Sequence, residues 1–227
     1  MHEGGTVGPL FTSLASAYGS GLIDKSAKHA AVGDETKAAA SLLHSFATSA
    51  AFDKTAYASS IDTARTNFAN GNAAFLIDYR SAFGSARPKD VALAAYPKVD
   101  ANRDARPMLG GIDLVVSSYS KHQKQAVKVM QCIRSGESVD TLSQDGDMLA
   151  AASNSLTKDG KTTMIELGPT LKPLITNGTA PLQTPVGDAV DAAITKTLTP
   201  LESIDVATVN DKLTTSIDDA LHFTAKN

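Results

Sequence analysis

Apolar residues recur at helical spacing in several separate stretches of this chain, and this pattern restricts the fold more than any other feature. In one stretch near the C-terminus, Val209, Leu213 and Ile217 place aliphatic side chains on one face of a helix. Asp205, just before Val206, is the predicted N-cap of that helix. The chain is therefore expected to be rich in helices that share an apolar core.

The same spacing predicts further helices, bounded by glycines or capping residues. Their predicted starts are near residues 7, 34, 60, 120 and 184. The helix that Ser120 would cap carries Met130 and Ile133 at core spacing, and Gly136 would end it. Thr184 is the predicted cap of a later helix, with Pro185 at its first position.

Three apolar runs between these helices predict short strands. They are residues 73–77, 91–97 and 110–118, and the first reads as a buried strand because it is short and wholly apolar. Pro97 would close the second run. Many helices with a few short strands indicate an α/β or α+β fold.

Composition excludes several classes of protein. The 227 residues are 42% hydrophobic, which is enough to bury a sizeable core. With 21 basic and 24 acidic residues and no basic block, the chain is not expected to bind nucleic acid. Cys132 cannot form an internal disulfide, since it is the one cysteine, and its place on an apolar helix face predicts a buried hydrophobe.

Catalytic and metal-binding motifs are not found in the sequence. The five histidines show neither an H-E-x-x-H motif nor an i,i+4 pair, so they predict solvated side chains and no metal site. No nucleotide-binding loop and no G-x-S-x-G motif occur either. The chain is expected to be neither an enzyme nor a cofactor-binding protein, and a hydrolase would need an activated acid or nucleophile that no residue pattern supplies.

Six segments of the chain follow one another in a characteristic order. They are "EGGTVGPLFTSLASAYGSGLID" from Glu3, Phe68 to Phe75, Val91 to Pro97, Gly110 to Val116, Ser120 to Gly146, and Thr184 to Phe223. Their order resembles the C-terminal part of family 1 extracellular solute-binding proteins, the maltose-binding-protein-like receptors of ABC sugar importers. Asn72 and Phe75 depart from the lysine and methionine usual in the family.

The resemblance implies a helix-rich α/β lobe of the periplasmic-binding-protein type II kind. Residues 1–96 and 148–227 would build the C-terminal lobe, and residues 97–147 would cross to an N-terminal lobe. A ligand would be held between lobes that close about a hinge near residues 91–97. We expect the chain to be a fragment of a longer receptor, because Met1 is followed by no signal sequence and no segment matches the first lobe.

The resemblance also implies partners and a location. A sugar or another small polar ligand, ABC permease subunits and the missing N-terminal lobe would be the partners, and a homodimer could cover the apolar face that lacks that lobe. The full-length protein would be extracellular, held at the membrane or in the periplasm. The alternative is a self-contained helical structural or interaction protein that has no small-molecule ligand.

Candidate ligand residues follow from the resemblance and from sugar chemistry. A sugar presents hydroxyls to charged side chains and a ring face to an aromatic. Tyr79 would be the stacking platform, with Asp78 and Arg80 as hydroxyl ligands. The alternative is that Asp78 and Arg80 pair with each other or with loop backbone while Tyr79 covers the core.

Further candidates lie at other matched positions. Gly110 and Gly111 would let backbone amides approach the ligand, or would form only a tight turn before a strand. Glu3 matches a ligand-contacting acid, and residues 186–188, which end at Asp188, match the position where many members place a tryptophan. Because the chain has no tryptophan and is only 5% aromatic, a small polar ligand is favoured over a long stacked oligosaccharide.

Overall fold

Six α-helices and one short hairpin are described over their full length. In this computed structural model, the described residues are 7–52, 61–78, 91–92, 94, 96–110, 114–135, 138 and 175–223. The elements in chain order are α1 Val7–Tyr18, β1 Leu22–Ile23, β2 Ala30–Ala31, α2 Asp34–Ala47, α3 Ile61–Ala69, α4 Gln123–Ile133, α5 Gly187–Leu198, a 3-10 turn Leu201–Ser203, and α6 Val209–Phe223. This is the helix-rich α/β character that the sequence predicts.

The core forms where the apolar faces of α1, α2, α5 and α6 meet. Its fully buried large side chains include Phe11, Leu22, Ile194, Leu213 and Ile217. The predicted spacing of apolar residues in α6 is thus confirmed, since Val209 also lies in this core. Burying each such side chain contributes roughly 1.5–3 kcal/mol before the entropy of ordering is subtracted.

The hairpin of β1 and β2 is antiparallel and very short. Leu22 pairs with Ala31, and Ile23 pairs with Ala30. Leu22 is fully buried, so this hairpin is anchored to the core by one side chain at its start.

Gly71 ends α3 as the sequence predicts. Its φ of +78° is in the left-handed region, its N–H donates to the Phe68 carbonyl, and the Asn72 N–H donates to the Asn67 carbonyl. These two bonds satisfy carbonyls at the end of the helix, which is the usual advantage of a glycine at this position.

The prediction of a buried strand at residues 73–77 is wrong. These residues form no strand, and the Phe75 side chain is 90% exposed. Among the described residues of 91–97 and 110–118 no strand forms either, and Val115 is 85% exposed. An apolar run forms a strand only when another strand offers its backbone for pairing, and no described residue pairs with this run.

The prediction that α4 has a buried face and that Cys132 lies on it is also wrong. No residue of α4 is buried, Ile133 is 38% exposed, and Cys132 is exposed. Helical spacing determines which side chains share a face, whereas burial depends on whether another element covers that face. The predicted end at Gly136 lies outside the described residues.

Three predicted capping residues form turns just before their helices instead of capping them. The Ser120 hydroxyl accepts from the His122 N–H at 3.1 Å, and the Thr184 hydroxyl accepts from the Val186 N–H at 3.4 Å. The Asp205 carboxylate accepts from the Ala207 N–H at 3.0 Å. Such side-chain bonds to nearby backbone favour turns, so each helix begins a few residues later than predicted.

The chain divides into two compact units. Unit 1 comprises Met1–Leu76, Tyr96–Gly110 and Leu174–Asn227, and unit 2 comprises Ile77–Ala95 and Gly111–Pro173. The lobe boundaries expected from the family resemblance stay a prediction. None of the helices in the described residues combines the length and apolar character that crossing a membrane requires.

Candidate functional site

Helices α1 and α5 of unit 1 approach each other so closely that glycine is required at their contact. A Cβ built on Gly8 would lie 2.5 Å from the backbone oxygen of Asp191. The Gly8 N–H donates to the Thr195 hydroxyl at 2.9 Å, and that hydroxyl donates to the Asp191 carbonyl at 2.8 Å. The first turn of α1 is therefore fixed against the second turn of α5.

A partly buried carboxylate lies at this contact. The Thr12 hydroxyl donates to Asp191 Oδ1 at 3.5 Å. Burial raises the pKa of Asp191 from its ordinary value of 3.8 to about 6, the Thr12 hydroxyl opposes that shift, and the nearby charge of Asp188 adds to it. Asp191 can therefore change its protonation state within the pH range of ordinary biochemical experiments.

Two further polar residues of α1, Ser13 and Ser16, hold two extended segments. The Ser13 hydroxyl accepts from the Met108 N–H at 2.8 Å, and the Ser16 hydroxyl donates to the Thr179 hydroxyl at 3.0 Å. Met108 and Thr179 form a parallel bridge, supported by the Leu109 N–H to the Thr179 carbonyl at 2.8 Å. The segment that ends at Gly110 is thereby attached to α1.

Arg103 reinforces the attachment of the same segment. Its guanidinium lies 5.2 Å from the centroid of the Tyr18 ring at the end of α1, and it pairs with Asp100. The Arg106 Nε–H donates to the Asn177 carbonyl at 3.2 Å. Exposed contacts of this kind add little to stability because solvent screens them, so their main effect is to position the segment.

Two of the predicted ligand residues belong to unit 1 and are described. Gly110 is exposed at the end of the segment held by α1. Asp188 is exposed in the first turn of α5, one turn before the contact at Asp191. Both are accessible to a ligand.

The other predicted residues are divided between unit 2 and undescribed positions. Asp78 belongs to unit 2, is half-buried, and takes part in an interaction. Tyr79, Arg80, Gly111 and Glu3 lie outside the described residues, so their roles stay predictions.

Sequence reasoning missed the polar residues that organise α1. In the sequence, Thr12, Ser13 and Ser16 read as ordinary positions of an amphipathic helix, yet Thr12 and Ser13 are only 4% exposed. Small hydroxyl residues interspersed among core positions, and Asp191 beside the apolar Val190, were the available indications. Buried polar groups need hydrogen-bond partners, so their presence on a core helix predicts hydrogen bonds between that helix and the segments packed against it.

Within the ranges that the structure describes, no three side chains of His, Cys, Asp or Glu are grouped so that they could hold a metal ion. Among the described residues of unit 1, the exposed backbone at Gly110 and the exposed Asp188 carboxylate are the predicted groups that could form hydrogen bonds with a ligand.

Comparison with known protein families gives a match over more than half of the chain. The family model for the bacterial extracellular solute-binding protein matches residues 3–138. The match includes α1 and the segment that α1 holds. Proteins of this family are generally non-catalytic, are typically extracellular or periplasmic, and serve as solute-binding components of ABC transporters. The chain belongs to the bacterial extracellular solute-binding protein family.

Proposed function

We propose that this protein binds a sugar or a comparably small polyol and presents it to an ABC permease on the outer side of the membrane. The observation that carries the solute-binding part is the family match over residues 3–138. A sugar is chosen because the candidate residues combine carboxylates, a guanidinium, an aromatic ring and exposed backbone, which together suit hydroxyls and a ring face.

In unit 1, α1 supports the proposed ligand groups. Gly8 of α1 fixes the start of α5, where Asp188 is exposed. Ser13 of α1 holds the segment that ends at Gly110. Asp188 would accept hydrogen bonds from sugar hydroxyls, and the backbone at Gly110 would be close to the ligand because no side chain intervenes. Such preorganised groups lose little entropy when a ligand binds.

In unit 2, the proposed ligand groups are Asp78, Tyr79 and Arg80. Tyr79 would stack on the ring face, and the two charged side chains would bind hydroxyls. The low aromatic content of the chain supports a mono- or disaccharide over a long oligosaccharide.

Saturation-transfer NMR of the chain with a panel of mono- and disaccharides tests the proposal, because the method detects ligands that bind at millimolar affinity. We expect one class of sugar to give a signal. Asp188→Asn should weaken binding about tenfold or more and Tyr79→Ala about twofold to tenfold, since a charge-assisted hydrogen bond contributes about 1.5–3 kcal/mol and a stacked ring about 0.5–1.5 kcal/mol.

Matched controls are Asp219→Asn, which changes an exposed acid on α6, and Tyr119→Ala, which removes a tyrosine ring that is 94% exposed. Both should leave the sugar signal unchanged. Binding of amino acids or peptides but of no sugar would contradict the sugar proposal, and the absence of any bound solute would contradict solute binding by this chain.

Formation of a homodimer and delivery of the solute to a permease are separate parts of the proposal. Light scattering after size-exclusion chromatography distinguishes a dimer from a monomer. A reconstituted permease whose ATPase rate rises when the protein and its solute are added together would support delivery, and an unchanged rate would contradict it.

A further inference from the structure

Two histidines that are almost 200 positions apart in the chain meet on the surface of unit 1. The ring centroids of His29 and His222 are 5.8 Å apart, with an angle of 64° between the rings. Both side chains are exposed. No motif in the sequence connects them, because one lies in the β1–β2 hairpin and the other in the last turn of α6.

Hydrogen bonds within the hairpin hold His29 in place. Asp24 Oδ1 accepts from the Lys28 N–H at 2.9 Å and from the His29 N–H at 3.3 Å, and Asp24 Oδ2 accepts from the Ser26 hydroxyl at 2.7 Å. The Asp24 N–H donates to the His29 carbonyl at 2.9 Å. His29 therefore lies on an ordered turn.

Helix α6 binds this hairpin directly. Asp218 Oδ1 accepts from the Ala30 N–H at 2.6 Å. Ala30 follows His29, and His222 lies one helical turn after Asp218 on the same face of α6. The bond from the Ala30 N–H to Asp218 therefore joins the hairpin to α6 next to the two rings.

The separation of the rings suits a shared metal ion. A bond from zinc to an imidazole nitrogen of about 2.0–2.1 Å places each ring centroid about 3.2 Å from the ion, so two rings at tetrahedral positions have centroids about 5.2 Å apart. The observed 5.8 Å exceeds this by an amount that small rotations of two exposed side chains supply. Imidazole is a preferred ligand of Zn²⁺, Cu²⁺ and Ni²⁺.

We propose that His29 and His222 form a two-histidine site for a divalent transition metal, which links the β1–β2 hairpin to the end of α6. Each imidazole supplies one nitrogen, and water completes the coordination, since the described residues offer no group of three ligating side chains. Metal bound to this native arrangement stabilises it against unfolding.

The charged side chains of the two elements influence affinity in opposite directions. Asp24 in the hairpin and Asp218 and Asp219 in α6 favour a cation, whereas Lys25 and Lys28 oppose it.

Thermal unfolding with and without ZnCl₂ at pH 7.5 tests the proposal, in a Cys132→Ser background because an exposed thiol also binds zinc. Zinc at tenfold its dissociation constant should raise Tm by about 3 °C or more. The rise should disappear in His29→Gln and in His222→Gln. His122→Gln, which removes an exposed histidine of unit 2, should retain it.

NMR of the imidazole nitrogens provides a second measurement that does not depend on variants. The resonances of His29 and His222 should shift together at the same zinc concentration, while those of His122 stay in place. An unchanged Tm in the parent, a rise that survives in either single variant, or independent titration of the two rings would overturn the proposal.

Discussion

At the residue scale, burial determines the protonation of Asp191. Because its native pKa of about 6 lies above the ordinary 3.8, the native state binds this proton more tightly than the unfolded state does. The stability from this proton is fully present below about pH 3.8 and is lost as the pH rises through about 6. Asp191→Asn should therefore raise the free energy of unfolding at pH 7.5 by about 1–3 kcal/mol, with a smaller gain near pH 4. Urea unfolding followed by circular dichroism at several pH values measures this difference.

Asp205→Asn is the control, because it should change the free energy of unfolding in the opposite direction. The Thr208 hydroxyl and then the Ala207 N–H bind the Asp205 carboxylate and lower its pKa, so its charge stabilises the native state at neutral pH. We expect this variant to be less stable than the parent at pH 7.5, and the loss to fade as the pH falls through the native pKa of Asp205. If Asp191→Asn also destabilised the protein at pH 7.5, burial would not be the dominant influence on Asp191.

Gly8 also acts at the residue scale, through the close approach of two helices. Gly8→Ala places a methyl group 2.5 Å from a backbone oxygen of α5, so the helices must separate. We expect a loss of about 1–3 kcal/mol in the free energy of unfolding, measured with urea. Gly187→Ala is the matched control, because its Cβ would lie 3.4 Å from the Leu182 carbonyl oxygen. It should change stability by less than about 1 kcal/mol, and an equal loss in both variants would contradict the steric argument.

At the scale of elements, Thr36 joins the start of α2 to α6. Its buried hydroxyl accepts from the Gly33 N–H at 2.9 Å and lies 3.1 Å from Asn210 Oδ1, while Asn210 Nδ2 donates to the Gly33 carbonyl at 2.8 Å. Thr36→Val keeps the shape and removes these bonds, which should cost about 1–3 kcal/mol. Thr214→Val, an exposed change on α6, should cost less than about 0.5 kcal/mol. A double-mutant cycle with Asn210→Ala should show coupling, and strict additivity would contradict a shared network.

At the scale of the whole molecule, the core that the described residues form belongs to unit 1. The helices α1, α2, α5 and α6 contribute most of its buried residues, whereas α4 in unit 2 has no buried residue. Amide hydrogens in α6 should therefore exchange with solvent only on global unfolding, and those in α4 at least about tenfold faster through local opening. Hydrogen exchange followed by mass spectrometry measures both. Equal protection of α4 and α6 would contradict this difference.

The sequence by itself determined the helices and the family. Apolar spacing located α1, α2, α3 and α6. The presence of Gly71 predicted a left-handed residue at the end of α3. Both kinds of feature depend on contacts within one or two helical turns. The order of the segments also indicated the solute-binding family, which the match over residues 3–138 confirms.

Only the tertiary structure decided which faces are covered and which distant residues meet. The exposed positions of Phe75 and Cys132, the contact of Gly8 with Asp191, and the pairing of His29 with His222 all depend on elements far apart in the chain. Local patterns determine the conformation of a segment and the side on which its apolar groups lie. Burial, altered pKa values and paired rings arise from the packing of one segment on another, which no local pattern specifies.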